Sequence, residues 1–274
     1  MKNVSLAGNK QLFSNVFFYF CVFLSCAPLL LLGVLTISTF WPYPDLLPRV
    51  VSLEYYAHVF LRNSRTAEAV VSGLLLGAFT VVLTLIIAVP AGKALAHYNF
   101  FGKGFVKILV LVPIIVPTIA VSIGNQISMI RLGLAGTFFG VALLHTVFAL
   151  PFAIRIMSNV FEAAGTRLQM QAAVLGAGNV FIFRYVTLPQ IMPGIFAAAA
   201  LSFTISISQY ITTFMIGGGR IITVTMLLIP HIQGGQTHIA AVYSVLLIIT
   251  AVISMTLMER VLRRYYNFDH VYYV

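Results

Sequence analysis

The sequence predicts an all-α integral membrane protein with six transmembrane helices. Three observations predict it. Of the 274 residues, 60% are hydrophobic and only 8% charged, and the mean hydropathy is +1.01, so a water-soluble globule would lack the polar surface to cover itself. The apolar residues gather in runs of about 20 or more, the length that crosses a hydrocarbon core about 30 Å thick. Short polar breaks separate the runs.

The first span is read at 12–40. Lys2 and Lys10 precede it in the manner of an export signal, but the run is far longer than a cleavable apolar core and reads as a retained helix. Phe23-Leu24-Ser25-Cys26 faintly resembles a lipoprotein cleavage site, and the apolar stretch continues past it. Cys21 and Cys26 lie within this span without other ligand residues nearby, so they read as small apolar packing residues. The next loop, WPYPDLLPRVVSLEYYAHVF, holds Pro42, Pro44 and Pro48. It is expected to lie along the surface and end in a short amphipathic piece at 52–60.

Five further spans follow at 67–96, 106–130, 138–157, 191–216 and 239–258. Residues 1–66 thus form a first helix with its loop, 67–260 a core of five spans, and 261–274 a tail. Pro90, Pro113, Pro117 and Pro151 fall inside or near the ends of spans, where each frees a carbonyl and favours a bend.

Orientation follows from the basic residues. With the N-terminus cytoplasmic, the inner segments carry Lys2, Lys10, Lys93, Lys103, Lys107, Arg155, Arg167, Arg184, Arg260, Arg263 and Arg264, and the outer ones Arg49, Arg62, Arg65, Arg131 and Arg220. That excess puts both termini of this multi-pass chain in the cytoplasm. Trp41, Tyr43, Tyr55 and Tyr56 outside, with Tyr265, Tyr266, Tyr272 and Tyr273 inside, suit two interfacial belts. The net charge of +10 does not indicate nucleic acid, because the basic residues track the membrane and form no single patch.

Several polar groups fall inside the spans. Ser202, Ser206, Gln209 and Thr213 recur at i, i+4, i+7 and i+11, one face of a helix that should turn toward the bundle or a water-filled path. For each residue alone, bonds between helices or to its own backbone are the better explanation, and only the stripe as a whole supports a translocation path. Asn125 and Gln126 either face a path or pin two helices together, and His145 either meets solute or is a hydrogen-bonded structural histidine.

The one long inner break, at 158–190, carries the most specific signal. After Arg167, Leu168, Ala172 and Leu175 form an apolar stripe at i, i+4 and i+7 on a segment that cannot enter the bilayer. Gly176 and Gly178 allow a turn with positive φ or close backbone approach, and Pro193 suits a helix first turn.

At these residues the chain resembles the permease subunits of binding-protein-dependent ABC importers. Their loop signature runs EAA, three residues, Gly, nine residues, Ile, one residue, Leu-Pro. Counted back from Leu188-Pro189, the register gives Val186, then Gly176, then Met170-Gln171-Ala172 in the EAA place. Glu162-Ala163-Ala164 has the letters but is followed at once by Gly165, so it falls out of register.

The resemblance implies a type I importer fold whose inner loop is a coupling helix. Leu168, Met170, Gln171, Ala172, Leu175, Gly176, Ala177, Gly178, Leu188 and Pro189 would then contact an ATPase subunit, with Met170 replacing the family's glutamate. SISQYITTFMIGGGRIITVTMLLI is similar to the fifth span and outer loop of the polyamine, iron and thiamine branch. There Gly217-Gly218-Gly219 would belong to an outer gate or re-entrant segment. Many members carry acids near Ser208-Gln209 and this chain does not, which argues against a strongly cationic solute held there.

No GxxxxGK[ST] sequence occurs, so nucleotide phosphates have no P-loop here. The acids Asp45, Glu54, Glu68, Glu162, Glu259 and Asp269 lie in loops or at span ends, leaving no proton relay within the membrane. No catalytic residue, metal ligand or cofactor is assigned to the chain. The resemblance implies two cytoplasmic ATPase subunits holding ATP and Mg²⁺, a second and different permease subunit, and an extracytoplasmic solute-binding protein. A secondary transporter or channel independent of ATP, or a membrane enzyme, is the competing reading.

Overall fold

In the computed structural model, residues 2–42 and 44–265 are described, with side chains described over 15–42 and 44–260. Tyr43, Tyr266, Asp269, Tyr272 and Tyr273 lie outside the described residues, as do the side chains of Lys2, Lys10, Arg263, Arg264 and Tyr265. The chain divides into two compact units. One comprises residues up to Asn63 with Pro230–Val245, the other Ser64–Ile229 with the residues from Leu246 on.

The first unit opens with α1 (Lys2–Ile37), whose side chains from Asn15 on stand mostly exposed, as a helix bathed in lipid requires. Cys21 and Cys26 are exposed too, so they fill no packing site inside the chain, contrary to expectation. Strands β1 (Ser38–Phe40) and β2 (Val50–Val51) pair antiparallel, Ser38 opposite Val51, and close the proline-rich loop. The expected amphipathic piece is α2 (Glu54–Ala57), which widens into a π-helical turn at His58–Arg62. Tyr55 stacks on His238, and Tyr56 donates to Thr36 Oγ1 at 3.0 Å.

The second unit is built on α3 (Arg65–His97), α6 (Phe138–Ala164) and α9 (Leu188–Ser208), which pack against one another. Small residues let the backbones close in, since lipid offers no hydrophobic reward for association and packing must supply it. A Cβ built on Gly92 would stand 2.5 Å from Met157 Cβ, so α3 and α6 touch there almost backbone to backbone. Ala88, Ala153, Met157, Phe161, Ile191 and Ala198 fill the core around that contact.

Two of the expected spans are not straight. The third is broken into α4 (Lys103–Ile115) and α5 (Thr118–Arg131), bent by 102°. Pro117 causes it: Val116 is held extended, ψ 132°, as a residue before proline must be, and Pro117 has no N–H to continue the ladder. Among the described residues five helices are long and apolar enough to cross a membrane, and six spans result if this bent pair counts as one. The fifth ends at Ser208 rather than running to 216; Gln209 is extended and α10 (Ile211–Gly217) is a separate short helix.

Pro193 also departs from expectation. It sits inside α9, which begins at Leu188 and is preceded by a π-helical segment, Ile182–Thr187. Pro189 and Pro193 both lack an N–H, and the ladder widens just before them. Gly218 and Gly219 turn the chain with φ of +56° and +77° into α11 (Val224–Gln233), followed by α12 (Thr237–Tyr265).

Candidate functional site

Between α6 and α9 the chain forms an elbow. Helix α7 (Arg167–Val174) runs into a turn and then α8 (Asn179–Phe181), which leads through the π-helical segment into α9. The turn is a Schellman motif: Ala177 N–H donates to Ala172 O at 3.0 Å and Gly176 N–H to Ala173 O at 3.0 Å. Gly176 takes φ +87°, the left-handed region the motif demands. The spacing from Ala172 to Gly176 is thus the distance from the last turn of a helix to its closing residue. Gly178 has φ −71° and ψ 158°, so it supplies no positive φ, and only one of the two glycines is needed for its conformation.

The elbow carries apolar side chains that the chain leaves bare. Leu168 and Met170 are more than half exposed, Val174 and Leu175 are 88% and 86% exposed, and Val180 is 81% exposed. Gln171, Gly176 and Gly178 are exposed, while Ala172, Ala177, Leu188 and Pro189 are half-buried. Beneath the elbow lies a groove of about 610 Å³ lined by Lys93, Gln169, Met170, Phe183 and Thr187 among others. The Gln169 Nε2 amide is buried there without a hydrogen-bond partner.

A second constellation lies in the interior of the same unit. His145 on α6 places Nδ1 2.9 Å from Ser206 Oγ on α9 and Nε2 3.1 Å from Thr213 Oγ1 on α10. Ser206 Oγ is also 3.3 Å from Thr80 Oγ1 on α3. Thr213 Oγ1 donates to Gln209 O at 2.8 Å, Thr225 Oγ1 to the same carbonyl at 3.4 Å, and Thr212 Oγ1 to Gln209 Oε1 at 3.3 Å. Ser122 Oγ on α5 stands 3.3 Å from Thr212 Oγ1. The kink at Gln209 frees a carbonyl, and the hydroxyls around it take up the slack.

The polar residues expected along one helical face therefore do different things. Ser206 and Thr213 meet at His145, but on two helices rather than one. Ser202, buried, donates to Ala198 O at 2.7 Å, one turn back in α9. Asn125 Nδ2 donates to Val121 O at 2.8 Å in its own helix, while Gln126 Nε2 reaches Met215 O on α10 at 3.4 Å. Thr80, Ser122, Thr212 and Thr225 are network members that sequence reasoning did not single out. A lone threonine in an apolar helix carries no periodic signal.

With this geometry in view, residues 84–266 match the family described as "Binding-protein-dependent transport system inner membrane component". The chain belongs to that family. It is accordingly a multi-pass inner-membrane component of a transport system. The osmoprotective compounds uptake permease protein GgtD of Synechocystis sp. is 36% identical over 143 residues, 52% of this chain and 48% of that protein. The spermidine/putrescine transport system permease protein PotC of Escherichia coli K12 is 27% identical over 160 residues, 58% of this chain and 61% of that protein. The match thus spans about half to three-fifths of these relatives. A bacterial ABC transporter involved in the import of the acidic polysaccharide alginate shares the fold, with TM-score 0.67 at 18% identity, covering 92% of this chain and 95% of that one.

Proposed function

We propose that this chain is the permease subunit of an ABC importer, forming part of the path for a small polar solute and receiving work from a separate ATPase. The observation that carries the proposal is the bare apolar elbow closed by Gly176, at the spacing where the family places its ATPase-docking loop. On this reading the elbow is the cytoplasmic coupling helix and both termini are cytoplasmic. Two ATPase subunits hold ATP and Mg²⁺, a second and different permease completes the bundle, and a solute-binding protein delivers from outside.

The elbow is joined without a break to a helix of 30 residues, Asn179–Ser208, about 45 Å long at the usual rise. Ser206 at its far end bonds to α6 through His145 and approaches Thr80 on α3. Displacing the elbow therefore strains the contacts between the three central helices. Coupling requires the ATPase to grip the elbow differently in the two states, because equal contacts would shift nothing.

The relatives are named for osmoprotective compounds, polyamines and alginate. The solute is proposed only as a small polar compound of the polyamine, thiamine, iron-chelate or phosphonate kind, with the separate binding protein making the choice. The network around Gln209 contains hydroxyls, an amide and an imidazole but no carboxylate, which within that group weighs against the polyamines, the most cationic of the four.

Copurification followed by ATP hydrolysis stimulated by solute-loaded binding protein tests the reading. A complex that contains the ATPase, and a Gly176→Asp chain that inserts in the membrane but no longer retains it, are the expected results. Uptake that persists without ATP, or a complex with no ATPase, overturns it.

A further inference from the structure

Near the ends of three helices, a cavity of about 300 Å³ lies between α3, α4 and α6. Leu95 on α3 is two residues from that helix's end, Lys107 is in the second turn of α4, and Glu162 is two residues from the end of α6. Leu95, Val110, Leu111, Pro151 and Ile154 give it an aliphatic lining drawn from all three helices. Lys107, Arg155, Ser158 and Asn159 line it too, with Glu162 the one acid among the lining residues.

These polar groups are unspent. Neither Lys107 nor Arg155 forms an ion pair among the described residues, and the side chains of Ser158 and Asn159 make no hydrogen bond there. Ser158 is only 8% exposed and lines the cavity. A charged side chain on a membrane helix is costly unless a partner or a defined ligand meets it. Two cations, a hydroxyl and an amide donate to a group with several acceptor oxygens, and a guanidinium matches phosphate in a paired geometry.

We propose that this cavity holds the phosphate of an anionic phospholipid. The phosphate chemistry is shared with free inorganic phosphate. The lipid is favoured because the site lies beside the ends of three spans, where headgroups lie, and because half of its wall is aliphatic, suited to the glycerol and first methylenes. Basic pockets between transmembrane helices recognise anionic headgroups in this manner. The inference rests on the membrane fold and is independent of the importer reading.

The full chain, reconstituted in nanodiscs of phosphatidylcholine with phosphatidylglycerol added, is released and its retained lipids weighed by native mass spectrometry. Phosphatidylglycerol should be retained preferentially. Lys107→Gln with Arg155→Gln should cut that preference on the order of tenfold, whereas Arg131→Gln, at the end of α5, should leave it unchanged. Ser158→Ala keeps both charges and the fold, and should lower retention by about threefold.

Equal phosphatidylglycerol retention by wild type and double variant overturns the proposal, as does the absence of any preference in the wild type. Inorganic phosphate forms a separate arm, added to the chain in neutral detergent. Phosphate binding that depends on Lys107 and Arg155 without a lipid preference assigns the site to the free ion and overturns the lipid assignment.

Discussion

His145 Nδ1 and Ser206 Oγ meet at 2.9 Å, joining α6 to α9 at a point where both residues are buried. Thr213 Oγ1 donates to Gln209 O at 2.8 Å and Ser206 Oγ to Thr80 Oγ1 at 3.3 Å, so both hydroxyl oxygens face the ring with a lone pair, and the tautomer of His145 sets which nitrogen donates. Ser206→Ala strips Nδ1 of its partner and should destabilise the chain by about 1–3 kcal/mol. Adding His145→Leu removes the orphaned nitrogen, so the double variant should be less destabilised than the two single losses combined. Thermal midpoints of the purified chain in detergent read this. A Ser206→Ala midpoint equal to wild type would show that the contact holds nothing together.

Gly92 and Gly77 both mark close approaches to α3, yet they should respond differently to a methyl group. At Gly92 the new carbon meets Met157 Cβ at 2.5 Å and Met157 backbone carbon at 2.9 Å, neither of which can retreat. At Gly77 it meets the Phe203 ring at 2.6 Å, the far end of a side chain. Both Ala variants should lose stability, by about 1–3 kcal/mol. Phe203→Leu should restore part of the Gly77→Ala loss, and Met157→Ala should restore none of the Gly92→Ala loss. The four midpoints decide it, and rescue at Gly92 would contradict the helix contact described.

The membrane class and most spans were legible because hydrocarbon demands long apolar runs whatever the tertiary contacts. Breaks were less legible. Pro117 and Pro90 look alike in sequence, but only Pro117 follows an extended Val116 and splits its span, while α3 runs through Pro90. The helical face at Ser202, Ser206, Gln209 and Thr213 assumed an unbroken helix, and the kink at Gln209 divided it between α9 and α10. Gly176 was readable since a Schellman turn admits few residues. The cavity at Lys107 and Arg155 was not, because no spacing rule links side chains on separate helices.

Gly176 and Gly178 are neighbours with unequal needs. A side chain at Gly176 meets nothing within 4 Å, but φ is +87°. Gly176→Ala should therefore cost about 1 kcal/mol through backbone strain alone, and Gly176→Asn less. Gly178→Ala, at φ −71° in open space, should be neutral. In the assembled importer the same order is expected for stimulated ATP hydrolysis: wild type and Gly178→Ala together, Gly176→Asn below, Gly176→Ala lowest. If Gly178→Ala is the more damaging, the elbow's shape is set by something other than the Schellman turn.

Met170 occupies the place where the family's motif has glutamate. It is the fourth residue of α7, 56% exposed, and lines the groove that also holds Lys93. No acidic residue occurs in the first turn of this helix. Met170→Glu puts a carboxylate near the helix start, worth about 0.3–1 kcal/mol to the helix, on a groove whose charged lining residue is a lysine. It should be tolerated, with uptake within about twofold of wild type. Met170→Lys, which sets a cation against Lys93 and the helix start, should lower uptake and ATPase retention together. Uptake by the Met170→Glu and Met170→Lys chains at matched expression separates the two. Should Met170→Glu be as damaging as Met170→Lys, the thioether itself is what the partner surface fits, and the apolar face of the elbow extends through residue 170.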